Sequence, residues 1–170
     1  YGGYKGTAGA LSYDLGAIYY AYPGSGSKGP KIDNKEIYIG GGIGPVSAKL
    51  FYAVDDYFSD QAVQKYSGVT GARSTKGSTY LDMGFTHDMG DGWGFNAHAG
   101  LLSLKNGAIN GHGANSVVDY KLGVTKDVSG WVFGAAYLTT SKKNFYTTGS
   151  LSGGKPAGDA RVLFSLAKTF

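Results

Sequence analysis

The 170-residue chain has no cysteine and only four prolines. It also has no apolar run approaching the roughly 18 residues that a membrane-spanning helix requires. Without cysteine there is no disulfide framework, no thiolate metal site and no cysteine nucleophile. Without a long apolar segment a helical membrane protein is excluded. A membrane β-barrel is not excluded, because its strands are only half apolar and its average hydropathy stays near that of a soluble protein. The mean hydropathy of −0.18 fits that case.

What the chain has in excess is glycine and aromatic residues: 30 Gly, 14 Tyr and 8 Phe. Aromatics suit pleated surfaces, and glycine at this density marks turns or places where strands crowd. An alternating segment followed by a turn recurs along the chain with no linker between parts, which predicts one domain over residues 1–170. The expected strands are Tyr1–Lys5, Leu11–Tyr22, Glu36–Ile43, Val46–Tyr57, Ser78–His87, Trp93–Leu104, Val117–Val128, Trp131–Ser141 and Ala160–Phe170. Most exceed the usual 5 or 6 residues and match the roughly 9 to 11 that a tilted strand needs to cross a bilayer.

Tight turns at Gly6 to Ala10, Gly44-Pro45, Gly90-Asp91-Gly92 and Ser129-Gly130 alternate strictly with long connections at Pro23–Lys35, Phe58–Gly77, Lys105–Ser116 and Lys142–Asp159. Short and long connections therefore fall at opposite ends of the sheet, the asymmetry of outer-membrane barrels. The faces divide as sharply. Trp93, Phe95, Ala97, Ala99 and Leu101 oppose Gly94, Asn96, His98 and Gly100, and the same split recurs in the neighbouring strands. Val162, Phe164, Leu166 and Phe170 share one face of the last strand, so a terminal aromatic is expected in a bilayer interface. That pattern resembles the C-terminal signal read by the outer-membrane barrel assembly machinery, with Lys168 at a position that is usually apolar.

The segments "LSYDLGAIYYAYPG", "EIYIGGGIG", "KLFYAVDDYF" and "VVDYKLGVTKDVSGWVFGAAY" resemble an uncharacterised Gram-negative outer-membrane family labelled Gcw_chp. The resemblance implies a barrel of about 12 strands in the bacterial outer membrane, with further strands ahead of Tyr1. No activity or site residue comes with it. The expected fold is thus an all-β, antiparallel, up-and-down transmembrane β-barrel, with about nine strands in this chain and the N-terminal ones lacking. The other way to an even count is that Tyr1–Lys5 is not a strand.

The expected lumen carries Asp14, Glu36, Asp55, Asp82 and Asp119 against Lys49, Lys121 and Arg161, with Asn96 and His98 between them. Two readings follow: a paired network filling a narrow barrel, or a wet channel whose surplus carboxylates favour cations or polar solutes. The long connections carry Lys28, Lys31, Lys35, Lys65, Arg73, Lys76, Lys142 and Lys143, and the four together hold about +7 of charge against about −3 elsewhere. A basic rim of that kind suits the phosphates of lipopolysaccharide.

Other chemistries fit poorly. "GGGIG" leads into a strand instead of a helix, which argues against a phosphate loop. His87 and His98 fall on opposite faces, which argues against a shared metal. No Gly-x-Ser-x-Gly elbow is present, so no enzyme is expected. Nucleic acid is disfavoured because the aromatics lie within strands and not beside the lysines. No cofactor is expected. The function expected is a passive pore for small polar or cationic solutes. The alternatives are a closed structural, adhesive or receptor barrel acting through its loops, and a soluble β-barrel or sandwich that binds an apolar ligand.

Overall fold

The computed structural model describes residues 1–145, 147–148 and 155–168. Its main element is an antiparallel sheet of nine strands in sequence order. These are β1 (Gly2–Ala8), β2 (Leu11–Ala21), β3 (Asp33–Ile43), β4 (Val46–Ala53), β5 (Thr79–Gly90), β6 (Trp93–Ser103), β7 (Ser116–Val128), β8 (Trp131–Thr140) and β11 (Arg161–Lys168). A two-residue pair, β9 (Thr147–Thr148) with β10 (Lys155–Pro156), lies in the last long connection. Each main strand was legible as an alternating segment between turns, and Gly2–Ala8 is a strand, so the eight-strand reading does not hold.

The sheet is open. β1 pairs only with β2 and β11 only with β8. The closed barrel expected from the sequence is therefore not formed by the described residues, and strand count supplies the reason. In an up-and-down sheet of nine strands the first and last run in the same direction, so joining them would need a parallel pair with a different hydrogen-bond pattern.

Register sorts the side chains onto two faces. Leu15, Ile39, Leu50, Leu81 and Leu101 lie side by side from β2 to β6, and Trp93, Leu122, Phe133 and Phe164 continue the same face toward β11. This apolar face is bare: Ile39 is 65% exposed, Leu122 55% and Phe164 78%. The opposite face carries most of the charged strand residues, among them Asp14, whose side chain is only 15% exposed. A soluble sandwich has the reverse arrangement, large apolar residues inside and charges outside.

Glycine makes room on the polar face. A Cβ at Gly16 would meet the Tyr38 hydroxyl at 2.7 Å, and one at Gly100 would meet both the Tyr80 hydroxyl and, at 2.5 Å, an Asp119 carboxylate oxygen. Each tyrosine ring thus lies over a glycine of a neighbouring strand.

All four long connections emerge at one end and pack over that end of the polar face. Leu102 and Val117, both of polar-face parity, join Leu104 and Phe145 in a small buried cluster against Tyr57 and Tyr80. The connection between β4 and β5 holds a short helix, α1 (Asp60–Tyr66), which nothing in its polar sequence announced. No helix among the described residues is long and apolar enough to cross a membrane.

Candidate functional site

The polar face carries a transverse belt of charge from β1 to β7. Because side chains alternate with period two, Asp14 of β2, Lys49 of β4, Asp82 of β5, His98 of β6 and Asp119 of β7 fall on one face, with Gly40 of β3 between Asp14 and Lys49. Asp14 Oδ2 accepts from Lys49 Nζ at 2.6 Å and lies 3.7 Å from Lys5 Nζ. His98 sits between two carboxylates, with Nδ1 3.2 Å from Asp82 Oδ1 and Nε2 2.8 Å from Asp119 Oδ1. A neutral imidazole can donate to one of these and a protonated one to both. The Tyr80 hydroxyl completes the group by donating to Asp119 Oδ2 at 3.1 Å.

Two cavities flank this belt. One, of about 610 Å³, is lined by Lys5, Ser12, Asp14, Ser47, Lys49 and Asp82. The other, of about 520 Å³, is lined by His98, Asp119, Lys121, Leu138 and Arg161. Charged groups of both signs facing open space can order water and pass or hold small polar solutes. Among the described residues no cluster of His, Cys, Asp and Glu has the makings of a metal site.

Of the residues singled out from the sequence, Asp14, Lys49, Asp82, Asn96, His98, Asp119, Lys121 and Arg161 share the polar face. Glu36 shares it by register, but at 7% exposure it is buried where the connections cover the sheet. Asp55 lies beyond the end of β4, exposed, and pairs with Lys35 at 2.8 Å. The structure thus brings eight of these together and sets Glu36 and Asp55 apart.

The basic residues Lys28, Lys31, Lys65, Arg73, Lys76, Lys142 and Lys143 are exposed on the long connections, all at one end. Lys35 belongs to β3, and Lys31 lies 3.8 Å from Asp33. Val162, Phe164 and Leu166 lie exposed on the apolar face of β11, and Phe170 falls outside the described residues.

Sequence reasoning missed the polar lock inside the connections. Asp60, at the start of α1, accepts from Asn110 Nδ2 at 2.7 Å and from Gln64 Nε2 at 3.2 Å. His112 Nε2 meets the same carboxylate at 2.7 Å, its Nδ1 lies 3.1 Å from the Phe145 carbonyl, and its ring stacks on Phe145. Both ring nitrogens face acceptors, so the protonated ring satisfies both. Burial pushes the His112 pKa down, but the Asp60 carboxylate and the Phe145 carbonyl outweigh it and leave the value raised. Burial likewise pushes the Asp60 carboxyl up, and the hydrogen bonds from His112, Asn110 and Gln64 bring it below its ordinary value. Asn110 also exchanges two 2.8 Å hydrogen bonds with the Arg73 backbone. The remaining long connection joins through Tyr66, whose hydroxyl donates to the Lys28 carbonyl at 2.7 Å. The four connections are knit into one cap.

The profile of a bacterial family described as "Bacterial protein of unknown function (Gcw_chp)" matches residues 1–170. No curated protein and no solved structure matches the chain. The chain belongs to the Gcw_chp family.

Proposed function

We propose that this Gcw_chp member forms the wall of an outer-membrane β-barrel and serves as a passive pore for small polar or cationic solutes. One observation carries the reading: the sheet leaves its aliphatic and aromatic face bare, while Asp14, Lys49, Asp82, His98, Asp119, Lys121 and Arg161 share the opposite face. Such an inversion is costly in water and favourable in a bilayer, where the bare face meets acyl chains and the polar face meets water. Along β6 the apolar row from Trp93 to Leu101 runs about 27 Å, which at a strand tilt of about 35–45° covers about 20 Å of the roughly 25 Å apolar band of outer-membrane barrels. Closure of the barrel requires the free edges of β1 and β11 to be paired, and an odd number of additional strands would restore an even count.

Within this reading Asp82 and Asp119 bias the lumen toward cations, with Asp14 neutralised by its lysine neighbours. The exposed lysines of the cap face the phosphates of lipopolysaccharide, and Val162, Phe164 and Leu166 serve recognition by the barrel assembly machinery. Planar-bilayer recording tests the pore. Discrete openings whose cation preference falls in Asp82→Asn and Asp119→Asn support it, and a silent barrel contradicts it.

A second reading has its own support in the cap. Because the long connections are tied to one another through Asp60, Asn110 and His112, they present a fixed surface at the end of the sheet. A closed barrel that uses this surface for adhesion or recognition would give the silent recording.

A further inference from the structure

Both ring nitrogens of His98 face hydrogen-bonding oxygens. Nδ1 lies 3.2 Å from Asp82 Oδ1, and Nε2 lies 2.8 Å from Asp119 Oδ1 and 3.2 Å from the Tyr80 hydroxyl. The same hydroxyl lies 3.1 Å from Asp119 Oδ2. Tyr80 therefore has two acceptors within reach and one proton to give.

Two arrangements satisfy the ring. With one proton, on Nδ1, the imidazole donates to Asp82 and its Nε2 lone pair accepts from Tyr80, which leaves the Asp119 carboxylate with neither donor. With a second proton, on Nε2, the ring donates to both carboxylates and Tyr80 turns to Asp119 Oδ2. The first arrangement carries the negative charges of both Asp82 and Asp119. In the second the positive ring offsets one of them. Asp119 and His98 both line the cavity of about 520 Å³ on the polar face, so the difference is presented to open space.

We propose that His98 is the selectivity-determining residue of the lumen, an inference that rests on the pore reading above: the neutral ring leaves Asp119 open to passing cations, and the protonated ring withdraws it. The groups facing the ring are Tyr80 and Asp82 from β5, and Asp119 and Lys121 from β7, Lys121 standing directly opposite His98. Lys49 of β4 stands opposite Asp82, Asp159 and Arg161 line the cavity beside His98, and β6 itself brings no other titratable side chain. Among these side-chain types only histidine ordinarily changes charge between about pH 5 and 8, so the charge of the lumen should follow its proton.

The protein in planar bilayers under a potassium chloride gradient gives a reversal potential, which reports lumen charge independently of how many pores are open. The cation-to-anion permeability ratio should be about threefold higher at pH 8 than at pH 5. His98→Gln keeps an amide donor but cannot take up a proton, and should flatten this profile. Tyr80→Phe removes the donor that satisfies the neutral ring, so the change should move to higher pH. His87→Gln, on the apolar face, should leave the profile as it is. A ratio that is flat in the unaltered protein, a rise that survives in His98→Gln, or a profile unmoved in Tyr80→Phe overturns the role of His98 and leaves the pore standing. A barrel silent at every pH overturns the pore reading and this role together.

Discussion

His112 and Asp60 lie 52 residues apart in sequence, yet His112 Nε2 meets Asp60 Oδ1 at 2.7 Å in a nearly buried contact. It ties the connection after β4 to the one after β6, and through the Phe145 carbonyl to the one after β8. The cap is held by polar chemistry more than by apolar area, because its buried hydrophobic cluster is small.

The stability of the cap should therefore depend on pH in a defined direction. Asp60 is lowered in the folded state, so its contribution is present above the unfolded carboxylate value of about 3.9 and is lost as pH falls through the folded one. His112 is raised, so its contribution is complete below about 6.5 and is lost as pH rises through its folded value. Both operate together between about pH 4 and 6.5. Amide hydrogen exchange across residues 58–77 and 104–115 should show greatest protection there and less at pH 9. His112→Gln should reduce protection by about 1.5–3 kcal/mol in that window and flatten the alkaline decline.

The two faces should respond oppositely to charge. Ala97 lies on the apolar face near the middle of β6, so Ala97→Arg should cost about 2–4 kcal/mol in a bilayer. Asn96→Arg enters the polar face and should be far milder. Urea titration of the protein refolded into vesicles checks the pair, and equal costs would argue against two solvents on the two faces.

Gly100→Ala places a methyl against the Tyr80 hydroxyl and the Asp119 carboxylate. Overpacking of this kind costs about 1–3 kcal/mol and should disturb the hydrogen bond from Tyr80 to Asp119. The turn residue Gly44, whose Cβ would meet nothing within 4 Å but whose φ is +54°, provides a contrast in which backbone strain acts alone. Ultraviolet titration of the tyrosines and denaturant melts of both variants separate the two effects.

How much of this was legible in the sequence depended on the range of the interaction. Alternation of period two located all nine strands and put His98 on one face and His87 on the other, because facing follows from local parity alone. Asp55 shows where parity stops helping: β4 ends at Ala53, two residues before it, and the side chain turns to Lys35. Glu36 has the expected parity, but connections distant in sequence bury it. The lock among Asp60, Asn110 and His112 carries no local signal, since each residue is ordinary for a polar loop and their meeting depends on two connections, after β4 and after β6, folding together. Closure was overestimated for a related reason: tight turns define neighbouring pairs and say nothing about whether the first strand meets the last.

The most direct test of the central claim uses the absence of native cysteine. Single cysteines at Phe95, Ala97 and Ala99, and separately at Asn96 and His98, are labelled in refolded protein reconstituted in vesicles. A bilayer-spanning sheet predicts that probes at Phe95, Ala97 and Ala99 are quenched by lipid-borne quenchers, while cysteines at Asn96 and His98 react with water-soluble thiol reagents. Insensitivity of the Phe95, Ala97 and Ala99 probes to lipid quenchers in folded protein would contradict the account.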